Sequence, residues 1–185
     1  MSSTTSTVAG PAPTCAPGAA PPAAGGAKEV TPPGDIPDNQ AFVAYSPPDG
    51  SYTVKVPEGW ARTDSPRTAT FTDKFNTLRV DLVDAPQGPT PESAQADEVA
   101  RLAQTVPCFV AGRVTRVERR GGTAVLITYQ ADGSADPVTG KVVRDDVERY
   151  EFWRNGTEAI LTVSGAAGSD NVDPWKLITD SFSWR

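Results

Sequence analysis

The side chains available for chemistry in this chain are carboxylates, arginines, lysines and two cysteines, because its 185 residues include no histidine. That absence removes Ser–His–Asp and Cys–His catalysis, imidazole proton transfer, and the commonest zinc and haem ligation. Carboxylate chemistry remains, and "RDDVERYE" offers Asp145, Asp146 and Glu148 for it. Four arginines, Arg113, Arg116, Arg119 and Arg120, share that part of the chain with Glu118 and Glu151. Mixed signs there read as a solvated sheet face rather than an anion site. The net charge of −6 repels phosphate backbones, so no nucleic-acid partner is expected.

Short motifs add little. "DPVTGKVV" resembles the end of a phosphate loop, but Ala135 stands where the first glycine belongs and Val142 replaces the magnesium-holding hydroxyl. "TVSGAAG" lacks the spacing of a nucleophile elbow. "ADGSAD" and "GSDNVD" carry carboxylates without the glycine and glutamate positions of a calcium loop, and Asp170 and Asp173 read better as helix caps. Asn155-Gly156-Thr157 matches a glycosylation acceptor, but a tight hairpin turn explains Asn–Gly without it. No cofactor and no metal are expected. Cys15 and Cys108 form an even set that permits one bridge, the alternative being a buried structural Cys108 and an incidental Cys15.

The elements that would position these groups are mostly strands. Residues 41–46 and 52–56 pair across "PPDG", with Tyr52, Val54 and Val56 on one face. Residues 68–73 and 77–84 make a second pair; Leu78, Val80 and Leu82 face one way, Thr77, Arg79 and Asp81 the other. The period then changes: Thr90 caps, Pro91 suits the first helical position, and Val99, Leu102, Ala103 and Val106 recur at helical spacing until Pro107. Residues 108–119 and 123–131 form a hairpin, 131–141 a wide loop, and 142–154 and 157–164 a hairpin turned by Asn155–Gly156. A final helix carries Trp175, Ile178 and Phe182 on one side. This order predicts an α+β domain, an antiparallel sheet of six or more strands flanked by helices. Trp60 and Trp175 read as core, whereas Trp153 and Trp184 lie on mixed faces.

Residues 1–40 have a different composition. They hold eight of the eighteen prolines, no aromatic residue and four charges, and so predict a flexible, disordered tether ahead of a domain at 41–185. Met1 followed by "SSTTST" suits a chain begun where a signal sequence or lipid-bearing cysteine has been removed. No apolar run approaches the roughly 20 residues that cross a bilayer.

Three phrases carry a family resemblance: "YTVKVPEGW", the hairpin "RYEFWRNG…AILTVSG", and the closing "DNVDPWKLITDSFSW". They resemble PsbP-like domains, the PsbP/Mog superfamily, and are similar to PsbP-like lipoproteins of high-GC Gram-positive bacteria. The resemblance covers roughly residues 41–185 and implies an α/β/α sandwich. It also implies a non-enzymatic accessory domain, outside the cytoplasm and tethered to the membrane, that docks on an envelope or membrane protein such as a transporter component. A monomeric domain is expected. Its contact surface is expected on the wide loop and the strand after it, at Asp132, Asp136, Lys141, Arg144, Arg149 and Trp153. The alternative is a carrier of a small apolar ligand or lipid, with a closed pocket between sheet and helix. An enzyme, the third reading, would rely on carboxylates such as Asp145, Asp146 or Glu148 and should show at least two convergent ionisable groups of perturbed pKa in a cleft.

Overall fold

Among the described residues, ten strands form two sheets that share one core, and four helical segments lie against them. The computed structural model describes residues 14–18, 34–136 and 138–185. Most of the expected tether, 1–13 and 19–33, lies outside the described residues, as does Pro137 of the wide loop. Strands β1 (Phe42–Tyr45), β2 (Tyr52–Pro57) and β10 (Ser183–Trp184) form a three-stranded sheet in the order β1-β2-β10. Strands β3 (Ala61–Ser65), β4 (Thr68–Asp73), β5 (Asn76–Asp84), β6 (Val110–Arg119), β7 (Gly122–Asp132), β8 (Arg144–Arg154) and β9 (Thr157–Ala166) form a seven-stranded antiparallel sheet ordered β3-β4-β5-β9-β8-β7-β6. Asn155 at φ 49° and Gly156 at φ 83° make the tight turn between β8 and β9, the conformation a two-residue hairpin loop requires.

Alternation along these strands divides the large sheet into an inner and an outer face. The inner face presents Phe71, Leu78, Val80, Tyr150, Phe152, Leu161 and Val163, all buried. It packs against Tyr52, Val54 and Val56 of β2 and against Trp175, Ile178 and Phe182 in and after helix α3 (Val172–Ser181). Phe182 stacks on Phe152 with ring centroids 4.6 Å apart and lies 5.6 Å from Tyr52, joining the helix end to both sheets. Trp175 is core, as expected, whereas Trp60 and Trp184 are only partly buried at the edge of the cluster. Gly59, at φ 85°, gives the turn that brings Trp60 back toward it.

On the outer face lies one helical run of three parts. Helix α1 (Pro91–Ser93) opens it, a π-helical stretch Ala94–Glu98 follows, and helix α2 (Val99–Thr105) ends it. Thr90 caps as expected: its hydroxyl accepts from the Ser93 N–H while the Ser93 hydroxyl accepts from the Thr90 N–H. Ala94, Val99 and Leu102 pack on Val125 and Ile127 of β7 as a second, smaller core.

Two expectations need correction. The α3 N-cap is Asn171, and neither Asp170 nor Asp173 caps. Nor does the Asn171 side chain cap its helix; its oxygen accepts from the Ile36 N–H at 2.8 Å and its amide donates to the Gly34 carbonyl at 3.1 Å. The reason is the second correction: residues 34–40 are not free tether. Ile36 is 5% exposed and belongs to the main core, so the packed domain begins at residue 34 rather than 41.

Candidate functional site

Because the helical run leans on β7, it covers only part of the outer face. The outward rows of β5 and β9 stay open beside it and bound a cleft of about 830 Å³. Its floor is made by the registered rows Arg79–Thr162–Arg149 and Asp81–Ile160–Glu151 and by the pair Val83–Glu158. Ser93, Asp97, Glu98, Arg101 and Thr105 form its helical wall. Asp97 and Glu98 both belong to the π-helical stretch, whose wider turn places consecutive residues at the same wall.

Charges in this cleft are mostly matched. Arg149 holds Glu98 at 2.5 Å and Glu151 at 2.9 Å; Arg101 also pairs with Glu98, and Arg79 grips Asp81 at 2.7 Å. Burial works against the Glu98 carboxylate, but the Arg101 hydrogen bond and the Arg149 charge outweigh it and hold its pKa below the usual value. Glu151 stays raised, because its deeper burial exceeds what Arg149 returns. Among the described residues no cation pairs with Glu158: burial first, and then the Glu151 charge, push it up to about 7 against the weaker pull of Arg149. Tyr129, at the inner end of the cleft, is pushed up by burial too.

A second cavity of about 420 Å³ continues along the same face. It shares Val106, Tyr129 and Thr162 with the cleft and ends at Asp145. The Asp145 side chain is buried, its Oδ1 meets no hydrogen-bond donor, and burial with the charges of Asp146 and Asp132 raises its pKa to about 6. Gly133 lies against it; a Cβ there would come within 2.6 Å of Asp145 Oδ2.

The six residues expected to make one contact surface do not converge on one. Arg149 lies in the cleft floor, and Asp132 and Asp136 line the second cavity. Arg144 turns inward, where its guanidinium donates to the Cys108 carbonyl at 2.5 Å and faces Asp132 at 3.4 Å. Lys141 sits exposed on the wide loop, whose Asp136 carboxylate instead accepts from the Val138 and Thr139 N–H groups. Trp153 is 38% exposed, with its indole N–H donated to the Ala85 carbonyl at 2.8 Å and Gly88 packed on its ring. Asp146 and Glu148 do not converge with Asp145: Asp146 accepts from Gln130, and Glu148, on the inner face, accepts from the Tyr150 hydroxyl. The structure joins Cys15 to Cys108, and the Ala16 N–H donates to the Asp132 carboxylate beside them.

Sequence reasoning missed Glu158, Glu98 and Asp97. What pointed toward this face was the outward alternation of Arg79 and Asp81 on β5, with Arg149, Asp132 and Asp136 of the expected contact surface and Asp145 among the candidate carboxylates.

No protein-family model and no curated protein matches the chain. Solved structures do resemble it. Cyanobacterial PsbP from Synechocystis superposes with a TM-score of 0.51 at 16% identity, covering 88% of this chain and 99% of that one. The Ran-binding protein Mog1p of Saccharomyces cerevisiae gives 0.50 at 12% identity, over 79% and 96%. A protein from Bacteroides thetaiotaomicron gives 0.52 at 9% identity, over 77% of this chain but only 48% of that longer one. At such identities the likeness speaks for architecture and leaves activity to the site. With its two sheets, its covering helices and this superposition, the chain has the fold of PsbP and Mog1p.

Proposed function

We propose that this protein is an interaction domain that docks an envelope or membrane protein, such as a transporter component, into the cleft of its outer sheet face. It does so outside the cytoplasm, carried as on a tether by the part of the N-terminal segment that precedes the Cys15–Cys108 bridge. The observation that carries this reading is the half-covered outer face, an open cleft of about 830 Å³ with a floor of ordered strands and a wall of helix. A wide, open cleft lined by charged side chains suits a segment of another protein better than a small apolar molecule. The Ran-binding description of Mog1p lends support by analogy of fold only.

The two rival readings fare differently. A carrier needs a closed apolar cavity between sheet and helix, and the cleft found there is open and charged. The most apolar pocket among those described, about 450 Å³ beside Tyr45, Pro48, Tyr52 and Leu82, lies instead at the end of the β1–β2 and β3–β4 turns. Catalysis has a specific observation in its favour, because Glu151 and Glu158 are convergent carboxylates with raised pKa values, the mark set for an enzyme. Glu151 is held by Arg149, however, which leaves Glu158 as the one of the two without an ion-pair partner. Docking therefore ranks first and carboxylate catalysis second.

The test is a cross-linking pull-down from membranes with the full chain, wild type against Thr162→Arg, which fills the centre of the cleft floor. Docking predicts one envelope protein captured by the wild type and lost with Thr162→Arg at an unchanged melting temperature. Equal capture by both, or none above background, defeats it.

A further inference from the structure

The charge left over on the outer face says what kind of segment it takes. Each arginine of the cleft is already matched, Arg79 to Asp81, Arg101 to Glu98, and Arg149 to Glu98 and Glu151. Among the described residues, Glu158 and Asp97 have no cation in contact, so the free charge of the cleft is negative. The far end of the face repeats the pattern: Asp145 is 9% exposed, and its Oδ1 meets no donor. Lys74 lines that cavity too, but it is exposed, and the charges that act on Asp145 are those of Asp146 and Asp132. A buried acceptor with no donor is a group that a ligand can satisfy.

These two ends have a defined separation. Glu158 of β9 stands opposite Trp153 of β8, and Asp145 of β8 stands opposite Ala166 of β9, eight positions further along either strand. At about 3.3 Å per residue the two carboxyls are therefore roughly 25 Å apart. Between them the floor is Ile160, Thr162 and Ser164, an apolar-to-hydroxyl strip without a free charge.

We propose that the outer groove takes an extended basic segment of the partner protein, with one lysine or arginine seated on Glu158 and a second, about eight residues along, on Asp145. This rests on the reading of the outer face as the docking surface and adds the chemistry of what docks. Two cations at that spacing satisfy both unmatched carboxyls at once, and the strip between them accommodates small or hydroxyl side chains. An acidic or phosphorylated segment would meet like charge at both ends.

The experiment uses the full chain and two synthetic probes of glycine and serine. One carries lysines eight positions apart, the other lysines three positions apart. Binding is read by calorimetry and by amide shifts at Ile160, Thr162 and Ser164. The long probe is expected to bind at least about tenfold more tightly than the short one, one charge contact's worth of affinity. That advantage should vanish in Glu158→Gln and again in Asp145→Asn, and survive Asp173→Asn on α3. Equal binding of the two probes, shifts confined to other faces, or a free linear polyamine binding as tightly as the long probe would overturn the proposal. A partner captured from membranes whose capture fails with Thr162→Arg, yet is undiminished in Glu158→Gln/Asp145→Asn, would refute the charge assignment while leaving the docking face standing.

Discussion

Asp145→Asn should stabilise the protein, and by an amount that depends on pH. In the folded chain Asp145 is buried beside Asp146 and Asp132 with one oxygen unpartnered, and its pKa rises to about 6 from an ordinary value near 4. Two pK units correspond to about 3 kcal/mol of penalty for holding the charged form inside the fold. Because the folded pKa is the higher one, the native state retains a proton that the unfolded chain has released between about pH 4 and pH 6. Below pH 4 both states are protonated and the penalty is absent; above pH 6 it is fully present. Asparagine keeps the shape and removes the charge. Denaturant melts of wild type and variant at pH 4, 5, 6 and 7 should therefore give a stability difference near zero at pH 4 that grows to about 3 kcal/mol at pH 7. At neutral pH that is a rise of roughly 6 to 12 °C in melting temperature for a domain of this size. A difference of the same size at every pH would refute the electrostatic reasoning. A loss of stability at pH 7 would mean that Asp145 has a partner the geometry does not reveal.

Other outcomes follow from the same structure. Glu158→Gln should also stabilise, with the gain opening between about pH 4.5 and pH 7 and reaching about 2 kcal/mol after allowance for its partial exposure; paired melts across that window check it. Trp60→Ala should cost about 2 to 3 kcal/mol by denaturant melts, at or below the lower end for a buried aromatic, since Trp60 is only partly buried against the core. Gly133→Ala drives a methyl onto the Asp145 carboxyl and should lower the melting temperature, an effect that Asp145→Ala relieves. Cys15→Ser should add a free thiol at Cys108 by mass spectrometry and destabilise by up to about 4 to 5 kcal/mol, the chain-entropy value for a loop this long.

Most of the architecture was legible because it rests on periodicity. Alternation in "SYTVKVP", "NTLRVDLVD" and "AILTVS" marked β2, β5 and β9, and the Thr90–Pro91 start marked the outer helix. β3 escaped because all five of its residues are exposed, so no alternation betrays it, and only its pairing with β4 makes it a strand. Ile36 escaped because it stands alone among prolines and polar residues; long-range partners hold it in the core, Asn171 accepting from its own N–H and Asn76 donating to the Gly34 carbonyl just before it. That same fastening takes Asn171 away from capping, which is why a local rule favouring Asp170 and Asp173 failed.

The candidate site was less legible, for a different reason. Arg79 and Asp81 were visible as the outward side of β5, but nothing local distinguishes a solvated outer row from one bounded by a helix. Glu158 sits two residues after a hairpin turn and reads as an ordinary surface glutamate. Its raised pKa comes from burial and from Glu151, which hairpin pairing brings close on the neighbouring strand. Asp97 and Glu98 share a wall only because the helix takes a π turn, which the regular helical spacing of Val99, Leu102 and Val106 conceals. Arg144 and Arg149 were expected outside and are buried in ion pairs, because they alternate with apolar residues on a central strand whose two faces are both covered.

The claim at the centre of this account is that the outer face is where a partner sits. A photo-activatable residue placed at position 162, in the cleft floor, tests it most directly in membranes against the same group at position 172, which is 71% exposed on α3. The account predicts one envelope-protein adduct from position 162 that is competed away by the long dilysine probe, and none from position 172. Adducts from position 172 alone, or equal yields from both positions, would contradict it.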